Sequence, residues 1–157
     1  VEPTITNVDF REVLRDERNK QLADEADKKM RACNFIVHGN IESNSAIPER
    51  KAHDKEFIEA FFRDVGIDAS YKSISRLGRR DDTGEAEQFK RPMKIVMHSE
   101  EDKDLVMLRL SSLKGKETYK RISITDDHSI TDRNTIREWT EKAKTANANE
   151  SPDSQYE

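Results

Sequence analysis

The sequence predicts an α+β fold in which four strands and two helices follow the order β-α-β-β-α-β, with a further helix at each end. Short β-rich runs recur along residues 32–125, two strongly amphipathic segments separate them, and highly charged segments flank this region. Two amphipathic helices can cover only one face of a four-stranded sheet. The economical arrangement is therefore a ferredoxin-like sandwich that leaves the other face open unless a terminal helix covers it.

The first strand is predicted at residues 35–39, where a β-rich run ends at a glycine. Pro48 suits the first turn of the helix that follows. Within that helix, Phe57, Phe61 and their apolar neighbours recur at helical spacing, and Gly66 ends it. This amphipathic segment, residues 48–65, is expected to supply much of the core.

A second strand is predicted at residues 71–77, with a bulge or a short strand because Ile74 and Leu77 have opposite parity. Residues 78–90 form a charged loop in this prediction. The third strand covers residues 91–98 and alternates between Met93, Ile95 and Met97 on one face and Lys94, Val96 and His98 on the other.

Ser99 begins a capping box and predicts a helix over residues 100–114, which Gly115 ends. A fourth strand follows at residues 120–125, and Ser129 caps a last helix. The expected core consists of Phe57, Phe61, Ile95, Leu105 and Val106. We also expect Trp139 to dock the last helix onto the sheet domain.

The chain is therefore predicted to divide into four parts: a charged helix at 1–31, the sheet domain at 32–125, a helical segment at 126–145 and a disordered tail at 146–157.

Residues 1–31 alternate acidic and basic side chains with few apolar positions. Two interpretations stay open, a solvated lone helix or the end of a longer upstream coiled coil. The second interpretation predicts a homo-oligomer that forms through this helix.

Composition limits the class of protein. Charged residues make up 38% of the chain, the hydrophobic set makes up 33%, and the net charge is -4, which excludes a uniformly basic nucleic-acid coat but permits a basic patch. A single cysteine, Cys33, excludes a disulfide framework and a cysteine-based zinc site. No apolar run approaches membrane-spanning length, and no signal peptide is recognisable. We therefore expect no membrane partner and a location in the cytoplasm, the nucleus or both.

No group of residues indicates catalysis, so no enzyme activity, no cofactor and no metal site is predicted. The stretch from Asp126 to Ser129 is better explained by helix capping, since a serine and nearby acidic side chains suit a helix N-terminus. The four histidines lack the pair spacing of metal ligands.

Two groups of residues are candidates for nucleic-acid binding. On the predicted open face, His38, Lys94 and His98 are available for weak stacking and phosphate contacts, although no Phe, Tyr or Trp stands on the third strand. Around one end of the sheet and on the last helix stand the basic candidates Arg76, Arg79, Arg80, Lys90, Arg91, Arg121, Arg133 and Arg137. An ordinary polar sheet face and a solvated loop, with four acidic residues between Asp81 and Glu87, are the alternatives.

Four stretches carry a resemblance to a known family: residues 31–39, 75–79, 91–96, and 126–131 followed by Arg133 and residues 137–139. From Asn34 to about Lys144 the chain resembles the RNA-recognition-motif and C-terminal region of the first-open-reading-frame protein of LINE-type non-LTR retrotransposons and its transposon-derived relatives. The resemblance implies a trimerising coiled coil upstream, an RNA-recognition fold and a small C-terminal domain. It also implies RNA contacts at Arg76 and Arg137.

These observations predict a module that binds single-stranded RNA, or DNA, with low sequence specificity. The resemblance adds a nucleic-acid chaperone role in a retrotransposon ribonucleoprotein. The alternative is a protein-interaction or assembly module on the same fold without strong RNA binding, which the acidic balance and the missing sheet aromatics favour.

Overall fold

The computed structural model describes residues 7–80 and 91–149, in which four α-helices accompany a four-stranded antiparallel sheet. The chain divides into two compact units, a sheet unit of residues 30–127 and a helical unit of residues 1–29 with 128–157. The α+β class is therefore confirmed. None of the helices in the described ranges combines the length and the apolar character needed to cross a bilayer.

The sheet unit consists of four strands and two α-helices in the chain order β1 (Asn34–His38), α2 (Ile47–Val65), β2 (Tyr71–Arg76), β3 (Met93–Met97), α3 (Glu100–Leu108) and β4 (Ser123–Asp126). The helical unit holds nearly all of α1 (Asn7–Arg31) and α4 (Ile130–Asn149). The strands pair in the order β2-β3-β1-β4, and each neighbouring pair is antiparallel.

The two faces of the sheet follow from strand alternation. Phe35 and Val37 are fully buried on the face that α2 and α3 cover, here called the first face. Ile36 stands opposite Lys94 and belongs to the second face. Met93, Ile95 and Met97 are buried on the first face, so the alternation predicted for β3 is confirmed.

The core lies between the first face and the helices. Phe61 is fully buried, and its ring centroid lies 6.1 Å from that of Phe35 and 5.7 Å from that of Phe62. Ile95 and Val106 are also fully buried, as expected. The two remaining expected core residues, Phe57 and Leu105, are only partly buried and pack at the margin.

Helix ends follow the predicted capping chemistry. Gly66 ends α2 in the left-handed conformation with φ of 70°, and its N–H donates to the Arg63 carbonyl. The Ser99 hydroxyl accepts a hydrogen bond from the Asp102 N–H at 3.1 Å and begins α3. β2 ends at Arg76, before Leu77, which agrees with the predicted short strand, whereas the register shift between β2 and β3 lies between Tyr71 and Ser73 and not between Ile74 and Leu77.

The predicted end of α3 and the predicted start of β4 are wrong. α3 ends at Leu108, and Leu110–Leu113 form a 3₁₀ turn instead of continuing the α-helix. Side chains three positions apart eclipse in a 3₁₀ turn, so Leu110 and Leu113 both turn toward the core. β4 begins at Ser123 because the preceding segment buries Tyr119, whose hydroxyl donates to Asp64 Oδ2 at 2.5 Å.

In the helical unit, charged contacts join α1 to the start of α4. Lys28 Nζ lies 3.3 Å from Asp24 Oδ2 and 3.5 Å from Asp132 Oδ1. The Ser129 hydroxyl accepts from the Asp132 N–H at 3.1 Å, which is the predicted cap. α4 continues through Asn149, so the predicted disordered tail cannot begin at residue 146.

Trp139 does not behave as expected. Its indole is 67% exposed, and Lys142 Nζ lies 5.2 Å from the ring centroid. The expected burial of Trp139 is therefore wrong. A lysine three residues further along the same helix lies over the ring and makes a local cation–π contact with it.

Candidate nucleic-acid interface

The second face of the sheet is polar at its margins and apolar at its centre. Lys94 is half-buried between Ile36 of β1 and Ser75 of β2, and His38 Nε2 lies 3.2 Å from Thr125 Oγ1. His98 is exposed one residue beyond β3. The described strand residues on this face include no Phe, Tyr or Trp: Asn34, Ile36, His38, Ser73, Ser75, Lys94, Val96, Ser123 and Thr125. Lys94 is thus the cation that the central strands offer to a ligand.

Antiparallel pairing brings four chain segments to one end of the sheet. β1 and β2 end there, while β3 and β4 begin there. The segments at this end are the loop of residues 40–46, the connection after β2, the residues before β3 and the residues before β4. Most of the predicted basic candidates of the sheet unit lie in or beside them.

Four arginines at this end surround two buried carboxylates and are here called the arginine cluster: Arg50, Arg76, Arg80 and Arg91 around Glu42 and Asp54. The cluster carries two more positive than negative side chains. Its members come from α2, β2, the loop of residues 40–46 and the β2–β3 connection. None of this proximity is visible in the local sequence.

The Arg76 side chain is buried, and its guanidinium is hydrogen-bonded within the protein. Its guanidinium donates to both carboxylate oxygens of Asp54, at 3.1 Å and 2.6 Å, and to the carbonyls of Asn40 and Arg91, at 2.8 Å and 2.7 Å. Arg76 stands opposite Met93 on the first face, and its side chain is only 5% exposed. Burial therefore removes Arg76 from the candidate phosphate contacts.

Glu42 holds the loop of residues 40–46 against the cluster. Its carboxylate accepts from Arg91 Nε at 2.9 Å and from Arg91 Nη2 at 2.6 Å, while Arg80 Nη1 lies 3.5 Å away. Arg80 also donates to the Ser43 carbonyl and to Asn44 Oδ1. Arg80 and Arg91 therefore stabilise a loop, and their predicted phosphate contacts would compete with these bonds.

The pKa of Glu42 lies below its ordinary value. The hydrogen bond from Arg91 is the main cause, burial opposes it, and the charges of Arg91, Arg76 and Arg80 add to the lowering. A carboxylate whose folded-state pKa is lowered contributes stability above its unfolded-state value and loses that contribution as pH falls through the folded-state value. The contribution of Glu42 should therefore disappear below about pH 4.5.

Glu42→Gln should lower the free energy of unfolding at pH 7 by about 1.5–3 kcal/mol, the magnitude of a charge-assisted hydrogen bond. The difference from the natural chain should shrink as pH falls below about 4.5, because the natural side chain then becomes neutral as well. Urea titrations at pH 7 and at several pH values below about 4.5 measure it. A difference that stays constant down to the lowest of these pH values contradicts the assigned ion pair.

Three cations at the same end are exposed. Arg79 is exposed in the connection after β2, and Lys120 and Arg121 are exposed just before β4. Lys120 and Arg121 line a cleft of about 800 Å³ together with His53 and Phe57. These three side chains have the access that phosphate contacts need.

The remaining candidates are less informative. Lys90 lies outside the described residues. Arg133 and Arg137 are exposed on α4, in the helical unit, and their role in binding stays a prediction. The clustered carboxylates Glu42 and Asp54 were not predicted, because they lie 49 and 22 positions from the arginines that they pair with.

The two units differ in charge. Over residues 30–127, the sheet unit has 18 lysine and arginine residues and 18 aspartate and glutamate residues, so its side chains are balanced in charge. The helical unit has 10 basic residues against 14 acidic ones, so it carries as much net negative charge as the whole chain. The acidic balance of the chain therefore does not describe the surface that carries Lys94 and Arg121.

Comparison with models of known protein families finds no match, and neither does comparison with curated proteins. The candidate interface therefore rests on the geometry and charge of the chain itself.

Proposed function

We propose that the sheet unit binds single-stranded nucleic acid, with RNA as the main ligand, through phosphate contacts that carry little sequence preference. The observation that carries the proposal is that exposed cations stand at the same end of both edge strands, Arg79 after β2 and Lys120 and Arg121 before β4, while Lys94 lies on the second face between them. Lysine and arginine contacts to phosphates supply affinity without reading bases.

We further propose that the sheet unit is a ferredoxin-like sandwich of the RNA-recognition type. The strand order β2-β3-β1-β4, with α2 after β1 and α3 after β3, supports this assignment. In such folds RNA lies across the two central strands, here β1 and β3. The resemblance of residues 75–79 and 126–131 to LINE-type retrotransposon proteins supports RNA as the ligand.

A single strand fits this surface better than a duplex. The second face is built from β-strands, whereas a helix or a two-stranded ribbon is what usually enters the groove of a duplex, and His38 offers its ring to an unstacked base. With no Phe, Tyr or Trp among its described strand residues, the face offers little stacking energy. Affinity should therefore depend mainly on charge.

Fluorescence anisotropy with a labelled single-stranded RNA, at about 50 and about 200 mM salt, tests the proposal. Lys94→Ala and Arg121→Ala should each weaken binding of unrelated sequences to the same degree and lower the salt slope by about 0.7, the value for one phosphate contact on a single strand. Lys55→Ala is the matched control, because Lys55 is an exposed cation on α2 that pairs with Glu59.

Two results would contradict this function. Loss of binding for only one sequence would mean that Lys94 or Arg121 reads bases. No binding by the natural chain at low salt would favour the second candidate, assembly with another protein chain. That candidate is supported by the exposed apolar side chains of Phe10, Leu14 and Trp139 in the helical unit.

A further inference from the structure

A cleft of about 800 Å³ lies at the end of the sheet where β1 ends and β4 begins. On the second face, the last residue of β1, His38, stands opposite the first residue of β4, Ser123. The residues next to this pair along the chain, Gly39 and Ile122, already line the cleft. The cleft therefore begins where the second face ends.

Two aromatic side chains of α2 line this cleft. His53 and Phe57 are four residues apart, so they stand on the same face of the helix. His53 is exposed, whereas Phe57 is partly buried, with its ring centroid 6.2 Å from that of the buried Tyr119. A hydrogen bond to Asp64 holds Tyr119 in place, so the ring of Phe57 is supported from the core. The cleft thus has the aromatic surface that the strands of the second face lack.

Residues 114–121, here called the basic segment, run beside the cleft toward β4. Glu117 is the one acidic residue of the segment, which carries four exposed cations: Lys114, Lys116, Lys120 and Arg121. None of these cations forms an ion pair with a described residue. Lys120 lines both the cleft and an adjoining cavity of about 370 Å³, which Lys114 and Lys116 also line. Exposed positive charge therefore continues from the cleft along the segment.

We propose that the cleft takes one unstacked base of the bound single strand, while the basic segment holds the phosphates next to that base. The inference rests on the proposed function and adds a base-binding site to it. A base has flat, uncharged faces that suit the rings of Phe57 and His53, and the neighbouring phosphates need cations. The volume of the cleft lies within the range of about 300–1,000 Å³ that is typical of small-molecule sites. Stacking on an aromatic ring accepts every base, so such a site keeps the sequence preference low.

Strands with and without bases test the inference by fluorescence anisotropy. A labelled oligouridine and an abasic strand of the same length carry the same phosphates, so phosphate contacts alone predict equal affinity. We expect the natural chain to bind oligouridine at least about fivefold more tightly, which is the lower end for one base stacked on an aromatic side chain. The ratio should be the same at about 50 and about 200 mM salt, since stacking releases no counterions.

Variants separate the cleft from the second face, where His38 can also meet a base. Phe57→Leu should lose most of the preference for oligouridine and bind the abasic strand like the natural chain, because leucine keeps apolar packing but has no ring. His53→Ala changes an exposed position and should lower the same preference. Tyr71→Leu is the matched control and should keep the full preference, because Tyr71 is a partly buried aromatic residue on the first face at the other end of the sheet.

Nuclear magnetic resonance of the full chain locates the base. Oligouridine should shift the ring signals of His53 and Phe57 saturably, and the abasic strand should leave both unmoved. The backbone spectra of Phe57→Leu and His53→Ala should match that of the natural chain, which shows that the variants fold. Ring signals that do not move with bound oligouridine overturn the inference.

The outcomes distinguish the inference from the proposed function. If Lys94→Ala and Arg121→Ala weaken binding but both strands bind equally, the inference fails and the proposed function stands. A preference for oligouridine that Phe57→Leu retains in full places the base elsewhere and has the same consequence. If neither strand binds at about 50 mM salt, the proposed function fails and the inference fails with it.

Discussion

Asp54→Ala should lower the free energy of unfolding by about 3–5 kcal/mol, because it leaves a buried arginine without its counter-charge. Arg76 is the arginine concerned, and Asp54 accepts two of its hydrogen bonds at 3.1 Å and 2.6 Å. The two carbonyl acceptors of Arg76 remain in the variant but carry no charge. Removing one partner of a buried pair costs more than the pair contributes, since the other charge stays desolvated.

Equilibrium unfolding of the full chain in urea measures this cost. Glu56→Ala is the control, because Glu56 is an exposed carboxylate on the same helix. Adding Arg76→Ala to Asp54→Ala should cost less than the sum of the two single changes, since the second change removes the unpaired charge. A loss of unfolding free energy below about 1 kcal/mol in Asp54→Ala would contradict a buried ion pair, because exposed ion pairs contribute up to about 1 kcal/mol.

Gly39→Ala should lower the free energy of unfolding by about 3 kcal/mol, through strain and a steric conflict together. Gly39 follows β1 with φ of 90°, a conformation that L side chains rarely adopt. A Cβ atom at this position would also lie 2.2 Å from the Arg121 carbonyl oxygen. Because the conflicting atom belongs to the backbone, the segment before β4 must shift to accommodate a methyl group.

Gly115→Ala measures the cost of a side chain at positive φ without a steric conflict. Gly115 has φ of 83°, but a Cβ there would meet no atom within 4 Å. We therefore expect Gly115→Ala to lower the free energy of unfolding by only about 1–2 kcal/mol. The difference between the Gly39 and Gly115 variants, measured in the same urea titrations, gives the cost of the steric conflict with the Arg121 carbonyl. Gly39→Ala should also weaken RNA binding, since it displaces a backbone that carries Arg121. Equal costs for the two variants would contradict the close approach.

Local patterns accounted for much of the sheet unit. The alternation of Met93, Ile95 and Met97 predicted which face of β3 is buried, because successive side chains on a strand point to opposite faces. Ser99 and Gly66 predicted helix ends, because caps satisfy backbone groups within a few residues. The end of α3 was not predictable in the same way, since the 3₁₀ turn that follows it is set by contact with the core.

The sequence by itself determined the number and order of the strands and helices, the alternation of β3, and the caps of α2, α3 and α4. These properties depend on residues that are neighbours along the chain. Only the tertiary structure decided what each arginine does. Arg76 is buried against Asp54, 22 positions away, and Arg91 holds Glu42, 49 positions away, while Arg121 stays exposed. An arginine in a sequence has the same charge in all three positions, and its role is decided by whether folding brings a carboxylate within hydrogen-bonding distance.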